Sequence, residues 1–572
     1  MKKLHLYVLL VVAVNLVTFV WIPSGQVFAQ DQLNHGASLL DNKDCAGALP
    51  YLVKAVAAEP KSEKANLYLG NAYLCLGKLD SAELYLTKTI QINDESAPAY
   101  YGLGRVLQQK KKYADALKNL ESAINYDAKN VGYVVALGQI YLDADSLDLA
   151  TQAFYKAKDM NDKDPRAFEG IGDVYRKQNI FETAIDNYKS AIQLDSMNIP
   201  LRLKLANTYM QDNNGGAAYE EFAKISKLAP NNPDAQYQAG ELLYINKRYH
   251  DAFTFLEKYH QLAPSNDKAL LQLCESAIKG GFYPEAIKYN QEYLSRYPKS
   301  VDAKKNLGAA FYFVKKYSDS YNTFKSLPID SLAINDLVRF GMSANAVHDT
   351  VASIDALTRA VTKDTTLSQI ENLLAGLLFA DKRYEDAITH FKKHLAAEPK
   401  DAGAWLNMGL CSFILKDYDN AIEALRNVTR LKPDNVQGWL WLGRSYVFAD
   451  SLPEAKGVYE NVIKIAKDDT SADNPQVMSE SYRQVAYSQI IPGTKLQKDN
   501  PDAAKKYYND ALPNLLLALK YDSKDTKTHI LLAQVFALLG KMDDACRELK
   551  NVLKSDPKNE QMLKLQKSLN CE

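Results

Sequence analysis

Two histidines four residues apart, His390 and His394 in the stretch HFKKH, have the one metal-like spacing in this chain. That interval sets two imidazoles on one face of a helix, as a zinc site requires. The glutamate that would serve as general base is missing, and no third ligand stands nearby. His394 also occupies a place that other segments of the chain fill with Ala or Val, so it reads as a partly buried structural residue. Paired carboxylates such as Asp543 and Asp544 fall in first helical turns, where they favour the helix dipole. The phosphate-cradling GxxxxGK[ST], dinucleotide-binding GxGxxG and hydrolase GxSxG patterns are absent. The expectation is therefore no catalytic residues, no metal and no cofactor.

Charge and composition narrow the class further. The 572 residues are 47% hydrophobic and 24% charged, which suits a large buried core and not a disordered chain. With 69 basic against 69 acidic side chains there is no electrostatic footprint for nucleic acid or an anionic membrane. Residues 1–29 differ from the rest. Lys2 and Lys3 precede an apolar run from Leu6 to Trp21, followed by Pro23, Ser24, Gly25 and VFAQ. Small side chains at Val27 and Ala29 suit signal peptidase, with cleavage before Gln30. The expected location is periplasmic or secreted, with no stable membrane span after cleavage; an uncleaved anchor is the alternative.

Behind these features lies a comb of small residues. Gly104, Ala116, Leu120 and Ala123 stand at intervals of 12, 4 and 3, and the same intervals return 34 residues later at Gly138, Ala150, Phe154 and Ala157. They return again at Gly172, Ala184, Tyr188 and Ala191. The first tooth runs from Gly36 through Gly70 to Gly443, ending at Ala486 and Ala533; the second runs from Ala48 to Ala545. Proline closes many units, at Pro60, Pro230, Pro264, Pro298, Pro399, Pro433 and Pro557. Each unit holds two stretches with apolar residues at helical spacing, and a lone pair of such helices cannot bury its apolar faces. A tight crossing admits only Gly, Ala or Ser, and stacking the pairs buries a continuous core.

The pattern resembles the tetratricopeptide repeat (TPR), a 34-residue helix–turn–helix with bulky, Leu, Gly, Tyr, Ala, Phe, Ala and Pro in order. Trp405, Gly409, Ala421, Leu425 and Pro433 match it, as do Trp439, Leu442, Gly443, Tyr446, Ala455 and Tyr459. The resemblance implies an all-α fold, a right-handed TPR α-solenoid of about 15 repeats with a C-terminal capping helix. The expected divisions are 30–327, 328–469 and 470–572, with a capping helix at 558–570. A bend is expected near 327–335, where Gly341 follows Gly308 by 33 residues. A loop is expected at 491–503, because Ala486 and Ala511 stand 25 apart where 12 is usual.

In such a stack Cys45 and Cys75 lie at one edge of adjacent layers, and Cys546 and Cys571 do the same at the other end. Disulfides Cys45–Cys75 and Cys546–Cys571 are expected, at the layers that fray most and in an oxidising compartment. Four buried thiols remain the alternative. Cys274 and Cys411 read as core residues.

The resemblance also implies a groove lined by the first helix of each unit, at positions 2, 5, 9 and 12. Position 9 gives Asn71, Arg105, Gln139, Asp173, Asn207, Glu241 and Glu275, then turns small or apolar at Ala309, Met342, Gly376 and Leu410. Tyr312, Phe379, Leu406 and Phe413 stand nearby. The implied function is a non-catalytic scaffold holding a protein or peptide in its groove. Burial of the apolar group between layers is the alternative, and for the whole chain a glycan-binding or polysaccharide-assembly module. An enzyme with a site built across repeats is a weaker one. Leu33, Leu67 and Tyr101 stand where a chaperone-tail clamp would want lysine, so that activity is not implied.

Overall fold

The computed structural model describes residues 24–467 and 474–571; most of the expected signal peptide lies outside them. Every regular element among the described residues is helical. By packing, the chain divides into two compact units, Met1–Gly281 and Phe282–Glu572. Among the described residues the first holds seven helix pairs, from Ser24–Asp41 with Cys45–Ala58 to Pro233–Ile245 with Tyr249–Leu262, and then the helix Asp267–Gly280. The described residues of the second open on Tyr283–Arg296, form seven pairs from Val301–Phe313 with Tyr317–Lys325 to Thr526–Leu538 with Met542–Ser555, and close on Glu560–Ser568. In that last helix Met562 is buried, and Leu565 and Leu569 pack on the final pair.

The comb works by steric exclusion. In one pair after another the glycine of the first helix faces a large residue sixteen places on. A Cβ on Gly70 would lie 2.7 Å from Leu86, on Gly138 2.9 Å from the Phe154 ring, and on Gly443 2.9 Å from the Tyr459 ring. These distances are shorter than carbon atoms tolerate. The same large residue also meets a glycine of the next pair. Gly102 lies on Leu86, and Gly170 lies against the same edge of the Phe154 ring that Gly138 meets. Leu86, Phe154 and Tyr459 are fully buried as a result.

Two further devices recur at the same period. The turn inside every described pair except Asn474–Leu496 with Pro501–Tyr521 contains one residue in the left-handed region: Lys43, Gly77, Lys111, Asp145, Asn179, Asn213 and Lys247, then, in the second unit, Lys315, His348, Lys382, Lys416, Asp450 and Gly540. The next amide donates back to the carbonyl five residues earlier, as in Lys112 to Leu107 at 2.8 Å and Ser146 to Tyr141 at 2.8 Å. This satisfies carbonyls that the helix end leaves open. Between pairs, the fourth residue of a unit donates its side chain to the carbonyl six residues before it. Asn66 reaches Pro60 at 3.1 Å, Gln236 reaches Pro230 at 3.0 Å, Trp405 reaches Pro399 at 3.0 Å and Trp439 reaches Pro433 at 2.8 Å. Arg202 does the same to Ser196.

Near 327–335 the second helix of its pair is cut to nine residues, Tyr317–Lys325, and a 3-10 turn Ile329–Ser331 follows Pro328. Leu327 and Leu332 are buried and fill the space of the missing helical turn. The expected loop at 491–503 is corrected: the chain is helical to Leu496 and again from Pro501, with only 497–500 between. The extra residues lengthen both helices, Asn474–Leu496 and Pro501–Tyr521, instead of leaving the stack. Ile490, Ala504 and Tyr508 are buried at their contact, and Gly493 gives room to Tyr508, whose ring a Cβ would approach to 2.8 Å. Burial of that extra apolar surface outweighs the helix-breaking tendency of Pro492 inside the first of them.

Cys45 is bonded to Cys75 and Cys546 to Cys571, one bridge near each end of the array. Cys274 and Cys411 are buried, and burial pushes the Cys411 thiol up to about 12.

Two tests follow from this packing. Gly443→Ala should destabilise by about 1–3 kcal/mol, because the buried Tyr459 ring has no room to move. Gly376→Ala, with nothing within 4 Å of its Cβ, should be neutral or stabilising by up to about 1 kcal/mol. Urea unfolding followed by helical dichroism reads both. Thiol titration of the native chain should detect no reactive cysteine, and unfolding without reductant should release two thiols.

Candidate functional site

First helices of consecutive pairs touch one another within each unit, as Ala97–Gln109 touches Val131–Asp143 and the latter touches Pro165–Lys177. Second helices make no comparable contact, so the first helices form the tighter face. Position 9 of each unit looks out along that face. Asn71, Arg105, Gln139 and Glu241 are half-buried, Asp173 is buried and Asn207 is exposed.

Several of these groups are tied to their own helix or to the neighbouring pair. Gln108 and Gln139 both donate to Asp143, at 2.6 and 2.9 Å. Asp173 accepts from the Tyr188 hydroxyl at 2.6 Å and from Lys204 at 2.6 Å, and Lys204 also reaches Glu169 at 2.7 Å. Glu241 accepts from Tyr237 at 2.8 Å and Lys268 at 2.7 Å. Glu275 is held by Tyr244 and Lys279. Electrostatics follow this geometry. Burial disfavours the Lys204 ammonium, but the Asp173 and Glu169 carboxylates outweigh it and hold its pKa above the usual lysine range. Burial, then the Asp173 charge, pushes the Tyr188 phenol well up. Burial opposes the Glu241 charge, yet its bonds to Lys268 and Tyr237 keep the carboxyl below its ordinary value.

One cavity of about 340 Å³ opens on this face in the first unit. Its walls are Tyr101, Arg105, Gln139, Arg166, Glu169 and Asp173, with Phe154 and Gly170 in the floor. It brings together three of the expected groove residues, Arg105, Gln139 and Asp173. Asn71, Asn207 and Glu241 lie outside it. Arg166 and Glu169 were not among the residues expected from sequence. They occupy positions 2 and 5 of their unit, so the same spacing applied beyond position 9 finds them.

The apolar group of the second unit is arranged differently. Tyr312, Phe379 and Phe413 each make an edge-on ring contact with the first residue of their own second helix. These partners are Tyr317 at 5.8 Å, Tyr384 at 5.7 Å and Tyr418 at 5.7 Å. The Tyr312 hydroxyl also donates to the sulfur of Met342 in the next pair, at 3.1 Å. Phe413 packs against Trp441 and Phe448 as well, and Leu406 joins the same core, while Leu410 is half-buried. The rings thus staple each pair at its turn. Two further cavities, of about 310 and 390 Å³, lie along the lengthened helix Asn474–Leu496; Leu531 lines both, and Ile490, Leu538 and Leu565 line the larger. The expected loop had hidden them.

His390 and His394 do not converge. His390 bonds Glu371, whereas buried His394 spans the Ser368 carbonyl at 2.8 Å and Asp401 at 3.0 Å. No group of three or more metal-ligating side chains occurs among the described residues. None of the described helices is long and apolar enough to cross a membrane.

Comparison with known proteins gives the same answer along most of the length. Models described as tetratricopeptide repeat match residues 39–107, 101–165, 203–267, 372–436 and 415–469, and one described as TPR repeat matches 172–213. Together they cover more than half of the chain. The chain is 21% identical over 448 residues to the TPR repeat-containing protein MJ1428 of Methanocaldococcus jannaschii, covering 72% of this chain and 78% of that one. It is 25% identical over 117 residues to the tetratricopeptide repeat-containing protein trd-1 of Caenorhabditis elegans, covering 20% of this chain and 15% of the relative. With the anaphase-promoting complex subunit CDC16 of Saccharomyces cerevisiae it shares 24% identity over 217 residues, 37% of this chain and 26% of that protein. Among solved structures it is similar to a tetratricopeptide repeat protein from Parabacteroides merdae, at 15% identity and a TM-score of 0.33, over 43% of this chain and 98% of that one. The array of crossed helix pairs, its 34-residue comb and the matches to the repeat models carry one conclusion: the chain belongs to the tetratricopeptide repeat family.

Proposed function

We propose that this chain is a non-catalytic scaffold of an oxidising, extracytoplasmic compartment that holds a protein or peptide partner against its first-helix faces. Proteins of this family generally mediate protein–protein interaction and complex assembly, and one relative is by name a subunit of a multiprotein complex. The observation that carries the reading is the cavity between Arg105 and Asp173. It is large enough for a partner side chain and lies on the face where successive pairs come closest. Its carboxylates Glu169 and Asp173 are bound to Lys204 and Tyr188, with no nucleophile poised beside a base, which supports holding over turnover.

The two terminal disulfides support export, since such bonds persist where thiols are kept oxidised. Cleavage before Gln30 would trim Ser24–Asp41 to residues 30–41, close to the 13-residue length of the following first helices. Intact-mass measurement of the chain recovered from its native cells should give a mature protein beginning at Gln30; a retained leader would contradict export with cleavage. A photo-crosslinking amino acid at Gln139 should form protein adducts in the same cells. One at Leu84, 62% exposed on a second helix, should not. Equal labelling at both positions, or none at Gln139, would contradict binding on this face.

A further inference from the structure

The cavity in the first unit has one cation that no carboxylate bonds. Arg166 is neutralised within its own turn, where Nε donates to Asp164 at 2.9 Å and Nη2 at 2.6 Å. Both oxygens of Asp173 are taken, one by Tyr188 and one by Lys204, and Glu169 shares that lysine. Gln139 is turned to Asp143. Arg105 differs from all of these. Its Nε is buried with no hydrogen-bond partner, and its Nη1 reaches only the Tyr101 hydroxyl, at 3.5 Å. No carboxylate of the described residues pairs with it. A buried guanidinium donor left unsatisfied is costly, and stacking of the repeats does not require that cost here.

We propose that Arg105 is the specificity-determining residue of this cavity, and that it receives the carboxylate of an aspartate or glutamate side chain on an extended partner peptide. The chemistry fits in three respects. A guanidinium presents parallel N–H donors that match the two oxygens of a carboxylate. Glu169 and Asp173 are both hydrogen-bonded to Lys204, which answers one of their two charges, so the entering carboxylate is directed to Arg105 as the cation of the cavity that no carboxylate bonds. The floor of Phe154 and Gly170 gives the methylene stem of the side chain an apolar bed. An apolar side chain in the same place would leave Nε unpaired, and an amide would offer it one neutral oxygen in place of a charged pair, which is the source of the selectivity. This inference rests on the peptide-binding reading above and names the chemistry that such a partner must carry.

A random decapeptide phage library, panned on the immobilised full chain, tests it. The wild-type chain should enrich peptides in which one position is dominated by Asp or Glu. Panning on Arg105→Gln should return that position to the library composition. A synthetic peptide of the selected sequence should bind Arg105→Gln roughly 10- to 100-fold more weakly by fluorescence anisotropy, the size expected for one charged hydrogen-bonded pair. Changing its acidic residue to the amide should cost the same factor on the wild-type chain, and combining both changes should add little. The modified peptide needs no altered protein, so a folding defect in the variant would not obscure the result. Enriched peptides without an acidic position, or an acidic preference that survives Arg105→Gln, would overturn the role of Arg105 and leave peptide binding standing. Failure of any peptide to be enriched over a blank surface would overturn the binding reading and the proposal together.

Discussion

The structure depends on close approach at the helix crossings. Gly138 and Gly170, from first helices of consecutive pairs, both lie against the single ring of Phe154, and Gly70 and Gly102 enclose Leu86 in the same way. One large side chain therefore sets the distance within a pair and between pairs. Interiors packed to crystal-like density do not tolerate a methyl group in such a contact. This is why glycine recurs although it is the poorest helix former after proline. The packing gained at each crossing offsets the propensity lost there. Each pair buries its apolar face only against its neighbours, which makes the array additive and the end layers weakest. The disulfides stand at those ends, Cys45–Cys75 and Cys546–Cys571.

What the sequence reveals and what it hides follow from the same physics. The comb is legible because steric exclusion leaves small residues at fixed places, and Gly36 to Gly443 can be followed by eye. The left-handed turn residue is just as periodic, yet it is invisible: Lys111, Asp145 and Asn179 are all tolerated there at modest cost, so the type varies while the backbone does not. The side-chain clamp on the preceding turn is hidden for a similar reason. Asn66, Arg202, Gln236 and Trp405 share only an N–H donor at the right reach. At 491–503, Pro, Gly and Asn suggested a loop. Burial of Ile490 and Tyr508 overrode that local preference, and the insertion became helix.

The candidate site was legible in part. Position 9 singled out Arg105, Gln139 and Asp173, three walls of one cavity, because family spacing places that position on the exposed side of the first helix. Spacing alone does not say which polar groups are already used. Lys204 lies 31 residues beyond Asp173 and quenches it, and nothing in the sequence marks the two as partners. Nor does it distinguish Tyr312, Phe379 and Phe413 from groove residues, since their ring contacts with Tyr317, Tyr384 and Tyr418 exist only after the pair has folded.

The central claim is that small residues recur because a large neighbour needs their space. A double-mutant cycle on Gly170 and Phe154, with stability read by urea unfolding, tests it most directly. Gly170→Ala should destabilise the wild-type chain by about 1–3 kcal/mol. In a Phe154→Ala background, where the ring is gone, the same change should be neutral or stabilising through helix propensity. If Gly170→Ala cost the same in both backgrounds, crowding at the crossing would not be what selects glycine, and the account of the fold would fail.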